Sequence, residues 1–172
     1  MGRLEYSIER ESYENNLNTL VLGIAGIKPG ESRTDMRHFA SAKWIEVPTN
    51  RLVLQEEFNL FLSNSDADFY DFSSIEVAIG AFFKIKGESW ARLRLSRLNL
   101  DFNGRRVFSG GAENRVDDQT HLNFRLNWQL HNHLALLADY QLIKNNTNEK
   151  AEIFDFLNYT NNIVSLTLQA TY

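Results

Sequence analysis

The chain has 172 residues, a net charge of −4, no cysteine and only 2 prolines; 43% of it is hydrophobic and 12% aromatic. One domain over residues 1–172 with one core suits that length, and the apolar share is too high for a disordered chain. The acidic balance leaves no footprint for nucleic acid, the lack of thiols excludes disulfides and Cys-ligated metals, and no apolar run reaches the ~18 residues of a transmembrane helix.

Period-two alternation dominates the chain and predicts nine strands. Weak runs come first, over residues 4–13, 17–27 and 36–47. Over 51–63, Leu52, Leu54, Phe58, Leu60 and Leu62 oppose Gln55, Glu57 and Asn59. Over 69–86, Ile75, Val77, Ile79, Ala81, Phe83 and Ile85 oppose Glu76, Gly80 and Lys84. The run 89–102 carries Arg92 and Arg94 on one face and alternates as far as Leu95, then changes phase to Leu98, Leu100 and Phe102. That change predicts a bulge near Ser96. Over 120–131, Leu122, Phe124, Leu126, Trp128 and Leu130 oppose Asn123, Arg125, Asn127 and Gln129. Over 133–144, Leu134, Leu136, Ala138, Tyr140 and Leu142 oppose Asp139 and Gln141. The last run, 161–172, sets Val164, Leu166, Leu168, Ala170 and Tyr172 against Ser165, Thr167, Gln169 and Thr171. No stretch carries a helical period.

The connections alternate in length. "ENN", "PTN", "KGES" and "HN" are short, whereas "KPGESRTD", "SNSDAD", "NGRRVFSGGAENRVDDQ" and "KNNTNEKAEIFDFLNY" are longer and polar. Tight turns at one end and long loops at the other are the habit of barrels that cross the bacterial outer membrane. The mean hydropathy of −0.37 is compatible with this, since a spanning strand needs an apolar residue only at alternate positions. The N-terminal "MGRLEYSIERESYENN" lacks the apolar stretch of a secretory signal, as expected of a cytoplasmic protein or of a mature or trimmed chain.

Alternation alone does not say which face looks outward. The polar face is large and mixed in sign, with Glu57, Glu76, Lys84, Arg92, Arg94, Arg125, Gln129 and Asp139, which suits a watery or ion-paired lumen. Most of the stronger runs hold about ten residues or more, the length that crosses a bilayer tilted. The alternating end of the chain, Val164, Leu166, Leu168 and Tyr172, resembles the C-terminal signal strand of Gram-negative outer-membrane proteins, although Ala170 is smaller than that pattern usually carries. The resemblance implies recognition by the barrel assembly machinery. More weakly, residues 115–172 are similar to the closing strands of barrels in polysaccharide-export outer-membrane proteins: an Arg-x-Asp before an alternating strand, an Asn-rich loop, and a Tyr-x-x-Asn entering the last strand.

The expected fold is an all-β, antiparallel up-and-down transmembrane β-barrel of about eight to ten strands, whole or as the C-terminal part of a larger barrel. Nine strands do not close with both termini on one side, so a strand hidden in "NGRRVFSGG", a first run that does not span, or a larger parent barrel is expected.

Chemistry is sparse. His131 and His133 form His-x-His, but in a tight turn with no third ligand nearby, and are expected to be solvated; no metal and no cofactor is expected. His38 and Ser41 invite comparison with outer-membrane lipid A hydrolases, but in a regular strand they fall on opposite faces. Arg92 and Arg94 either bias an open lumen toward anions or form salt bridges with Glu57, Glu76 or Asp139 that plug it. Trp44, Trp90, Trp128 and Tyr140 suit an interface girdle or ordinary packing. The function expected is a pore, an export conduit or a structural barrel in the bacterial outer membrane, not an enzyme. Its partners would be outer-membrane lipid and lipopolysaccharide, the barrel assembly machinery, and further strands or a periplasmic domain of a larger protein. The rivals are a soluble small-molecule-binding barrel and an outer-membrane lipid-modifying enzyme.

Overall fold

A computed structural model of the chain describes residues 1–14, 32–66, 70–107, 113–150 and 152–170. Eight strands form there: β1 (Gly2–Glu14), β2 (Ser32–Thr49), β3 (Leu52–Ser65), β4 (Phe72–Lys84), β5 (Trp90–Arg106), β6 (Asn114–His131), β7 (Leu134–Thr147) and β8 (Tyr159–Ala170). Each pairs antiparallel with the next, in the order β1 to β8, as a single up-and-down sheet. The strand expected over residues 17–27 lies outside the described residues; of the segment "NGRRVFSGG", expected to hide a further strand, residues 103–106 are the end of β5 and residues 108–111 lie outside the described residues. With eight strands, Gly2 and Ala170 stand at the same end of the sheet.

That end holds the tight turns. Thr49 closes the β2–β3 turn by accepting the Arg51 and Leu52 amides on its hydroxyl, at 3.2 and 3.1 Å. The β4–β5 turn passes through Gly87 at φ +60°, a left-handed conformation that a side chain disfavours. Only Asn132 and His133 separate β6 from β7. The opposite end carries the longer connections. There Asn148 accepts the Val116 amide at 2.8 Å and donates to the Asn114 carbonyl at 2.8 Å, while Asn158 accepts the Thr147 amide at 2.9 Å. The Asn-rich segment thus pins its own loop, with a short 3₁₀ helix at Glu152–Leu157, onto the ends of β6 and β7.

Register divides the strands into two faces. Across β2 to β7, Lys43, Glu57, Ala78, Ser96, His121 and Ile143 lie in one cross-strand row. This polar face is the sheltered one: Ala78, Ser63, Ser96, Asp35, Asp117 and Asn145 are all buried on it. The opposite face carries most of the exposed large hydrophobic residues, among them Leu4, Tyr6, Trp44, Phe58, Val77, Ile79, Leu93, Leu95, Trp128, Val164, Leu166 and Leu168. The polar side is therefore the sheltered, inner face of the sheet and the apolar side the exposed, outer one, the reverse of the usual arrangement in water.

Toward the loop end the polarity reverses. On β5 the outward series Leu93, Leu95 continues as Arg97, Asn99, Asp101, while the inward series Arg92, Arg94, Ser96 continues as Leu98, Leu100, Phe102. This explains the phase change at Ser96. No bulge occurs there: the register runs unbroken from Trp90 to Phe102, and the irregularity falls between Phe102 and Arg106. The strands accordingly extend past the apolar runs; β2 and β6 reach 18 residues each and β5 reaches 17. Inside the extension, Phe61 stacks on Phe72 at 5.3 Å and Phe72 meets Phe102 at 6.0 Å, a small apolar core in the ordinary sense.

Among the described residues, β1 and β8 pair with β2 and β7 only, and not with each other.

Candidate functional site: the ion-paired inner face

The inner face is organised around Arg94. Its guanidinium donates to Glu76 at 2.9 Å on β4 and to Glu57 at 3.1 Å on β3, two strands away. The second reach is possible because β4 is nearly bare there. Gly80 lies directly opposite Arg94, and the next inward residue is Ala78, only 2% exposed beneath the network. Lys43 approaches Glu57 at 3.3 Å, Asn59 donates to Glu76 at 3.0 Å, the Ser41 hydroxyl donates to Asn59 at 2.7 Å, and Arg94 also reaches the Ser96 hydroxyl at 3.1 Å. Two cations and two carboxylates therefore cancel across β2 to β5, each carboxylate held by fixed donors rather than by water alone.

Arg92 is different. It stands exposed, directly opposite Phe82 on one side and Arg125 on the other. Arg125 is neutralised by its contact with Asp139 on β7. The two arginines expected to act together are thus separated: Arg94 is locked by carboxylates, and Arg92 faces a second arginine. Lys84 is exposed at the turn end of the same face, opposite Trp90, and the Gln129 amide donates to the Ser89 hydroxyl at 2.9 Å. Register puts all eight residues, Glu57, Glu76, Lys84, Arg92, Arg94, Arg125, Gln129 and Asp139, on one side of the sheet.

A second cluster was not foreseen from sequence. At the loop end Arg33 lies 3.8 Å from the centre of the Tyr70 ring and 3.0 Å from Asp35, and Arg37 pairs with Glu11 at 2.7 Å. Arg105 and Arg115 both lie over Phe102, at 4.7 and 5.0 Å, and Arg115 pairs with Asp117. The Arg33–Asp35 and Arg115–Asp117 pairs are local Arg-x-Asp contacts, but Arg33–Tyr70, Arg37–Glu11 and Arg115–Phe102 join different strands or loops, and no local pattern announces those. Glu56 was also missed. It stands exposed on the apolar face, between Trp44 and Ile79.

The remaining candidates separate. His38 accepts or donates a 3.0 Å hydrogen bond with the Tyr6 hydroxyl on the apolar face, whereas Ser41 points inward to Asn59. The pair expected on opposite faces is on opposite faces. His131 and His133 are exposed with ring centres 6.3 Å apart. Of the aromatic residues suggested as a girdle, Trp44, Trp128 and Tyr140 lie on the apolar face, but Trp90 does not: it stacks on Phe82 at 5.5 Å on the inner face. A shallow depression of about 810 Å³ lies over Ala42, walled by Leu4, Trp44, Phe58 and Ile79. Val164, Leu166 and Leu168 project from β8 on the apolar side, and Tyr172 lies outside the described residues.

Neither a protein-family model, nor a curated protein, nor a solved structure matches this chain.

Proposed function

We propose that these strands are the wall of a transmembrane β-barrel in a bacterial outer membrane, serving as a pore, an export conduit or a structural barrel rather than as an enzyme. The observation that carries this reading is the polarity reversal along the strands. Near the turn end the outward residues are apolar for five alternate positions, as in Leu122–Leu130 and Leu134–Leu142; beyond that they become Thr120, Asp118, Lys144 and Asn146. Nine residues lies at the short end of the ~9–11 that a tilted strand needs to cross hydrocarbon. A soluble barrel keeps its apolar side inward along the whole strand; a membrane barrel inverts only within the bilayer.

The other features fit the same reading. Arg97, paired with Asp118, and Lys144 sit at the loop-side margin of the apolar band, where lipopolysaccharide headgroups would meet them. Trp44 and Trp128 sit near its turn-side margin, the level of an aromatic girdle. The alternating β8, if continued through Tyr172, is the strand the barrel assembly machinery would read.

The test is environmental. The protein is expected to need detergent or lipid to remain monodisperse. Single-cysteine spin labels should report lipid at Leu126 and water at Arg125. A β-folded, monodisperse protein in plain buffer overturns the reading in favour of a soluble barrel.

A further inference from the structure

The two edges of the sheet pose a problem that the strands between them do not. Both faces of β8 are exposed over its whole length, and both faces of β1 are exposed from Gly2 to Arg10. The inward Glu5 side chain on β1 is 52% exposed, against 18% for Glu57 on β3. The shelter found in the middle of the sheet is thus lost toward its edges, and among the described residues β1 does not pair with β8. An eight-stranded barrel has an interior that side chains alone fill. Here the inner face keeps accessible groups such as Arg92 and Arg125.

We infer that the barrel is completed by a second copy of this chain, β8 of each copy pairing with β1 of the other. The pairing rests on the membrane reading, because it is hydrocarbon that forbids an unpaired strand edge. The edges suit each other. β1 has 13 residues and β8 has 12; they run in opposite directions, since β1 leaves the turn end and β8 returns to it. Their faces have matching phase: Leu4, Tyr6 and Ile8 with Val164, Leu166 and Leu168 outward, and Arg3, Glu5 and Ser7 with Ser165, Thr167 and Gln169 inward. Alternating strand direction is kept around the ring because the described strands of each copy number eight, an even count. A two-fold axis along the barrel satisfies both edges of both copies at once, leaving none open. Twice the eight described strands gives sixteen, wide enough for a water-filled lumen in which the Arg94 network is a charged stripe on the wall rather than a plug.

The chain has no cysteine, so introduced thiols are unambiguous. Two single variants, Ser7→Cys in β1 and one of Ser165→Cys, Thr167→Cys or Gln169→Cys in β8, are unfolded, mixed and refolded in detergent or lipid, then oxidised. A disulfide needs Cα atoms about 4.4–6.8 Å apart, so it reports direct strand pairing. The expected result is conversion of monomer to covalent dimer for one of the three β8 positions. The double variants should likewise give cross-linked dimers, not internally bridged monomers. An internal bridge in a monomer overturns the proposal, since it means that eight strands close alone. Folded protein that cross-links at no position also overturns it. Light scattering on the unmodified protein in detergent guards against variants that misfold: a dimer is expected, and a folded monomer overturns the pairing. A dimer that needs no detergent would sink the membrane reading while leaving the edge pairing intact, so the two failures are distinguishable.

Discussion

Arg94 crosses a bare stretch of β4 to reach two carboxylates, while Arg92, one inward position along the same strand, faces Arg125. The difference should be measurable one residue at a time. Arg94→Ala leaves Glu76 with Asn59 but no cation, and Glu57 with Lys43 and Gln55; in this half-sheltered setting it is expected to cost about 1–3 kcal/mol in a denaturant titration of the refolded protein. Arg92→Ala should change stability by no more than about 0.5 kcal/mol. In planar bilayers the order should reverse. If the lumen conducts, losing Arg92 lowers anion preference more than losing Arg94, whose charge is already cancelled by fixed carboxylates. Equal effects of the two substitutions on stability would mean that the Arg94 network does not hold in the folded protein.

At the scale of the strand, the physics lies in which side a residue takes and how far along it sits. Leu166 and Thr167 are neighbours on β8 with opposite faces, Leu166 outward and Thr167 inward. Leu166→Arg should cost about 2–4 kcal/mol in lipid vesicles, the depth-dependent penalty for a cation on the hydrocarbon side, whereas Thr167→Arg should cost far less. Similar penalties for both would contradict the assigned faces. β4 offers a second check. Ala78 is buried under Arg94 and is followed inward by Gly80, so Ala78→Phe has to displace the guanidinium; a loss of about 1–3 kcal/mol by overpacking is expected in thermal melts. The same substitution at Ala81, on the outward face of β4, should be tolerated.

Among the described residues the molecule has one apolar face, one polar face and two unpaired sheet edges, and on the membrane reading its behaviour outside lipid follows from the apolar face. Deleting Tyr172 should lower the amount of protein inserted in cells while leaving detergent-refolded protein near its normal melting temperature. One aromatic side chain contributes at most ~1.5–3 kcal/mol by burial, yet the terminal strand would carry the feature read during assembly. Normal insertion of the deletion, measured by fractionation of outer membranes, would remove the terminal residue from that role.

Much of this was legible in the chain itself. Period-two alternation assigns each side chain to a face without knowledge of its neighbours, so Glu57, Glu76, Arg94 and Asp139 could be put on one side and Leu126, Trp128 and Leu136 on the other. The turn positions were equally readable, because Gly87 and the short "PTN" and "HN" segments act locally. The sequence could not say where one polarity stops, which is why the reversal on β5 read as a bulge. Nor could it foresee that Trp90 stacks inward on Phe82, that Arg33 meets Tyr70, or that Arg94 and not Arg92 finds two carboxylates. Those contacts depend on register between strands, and on the small residues Ala78 and Gly80 lying in the path of a long side chain. The fate of the edges was also a tertiary matter, since pairing between the first and last strands is set by the summed twist and curvature of all the strands between them.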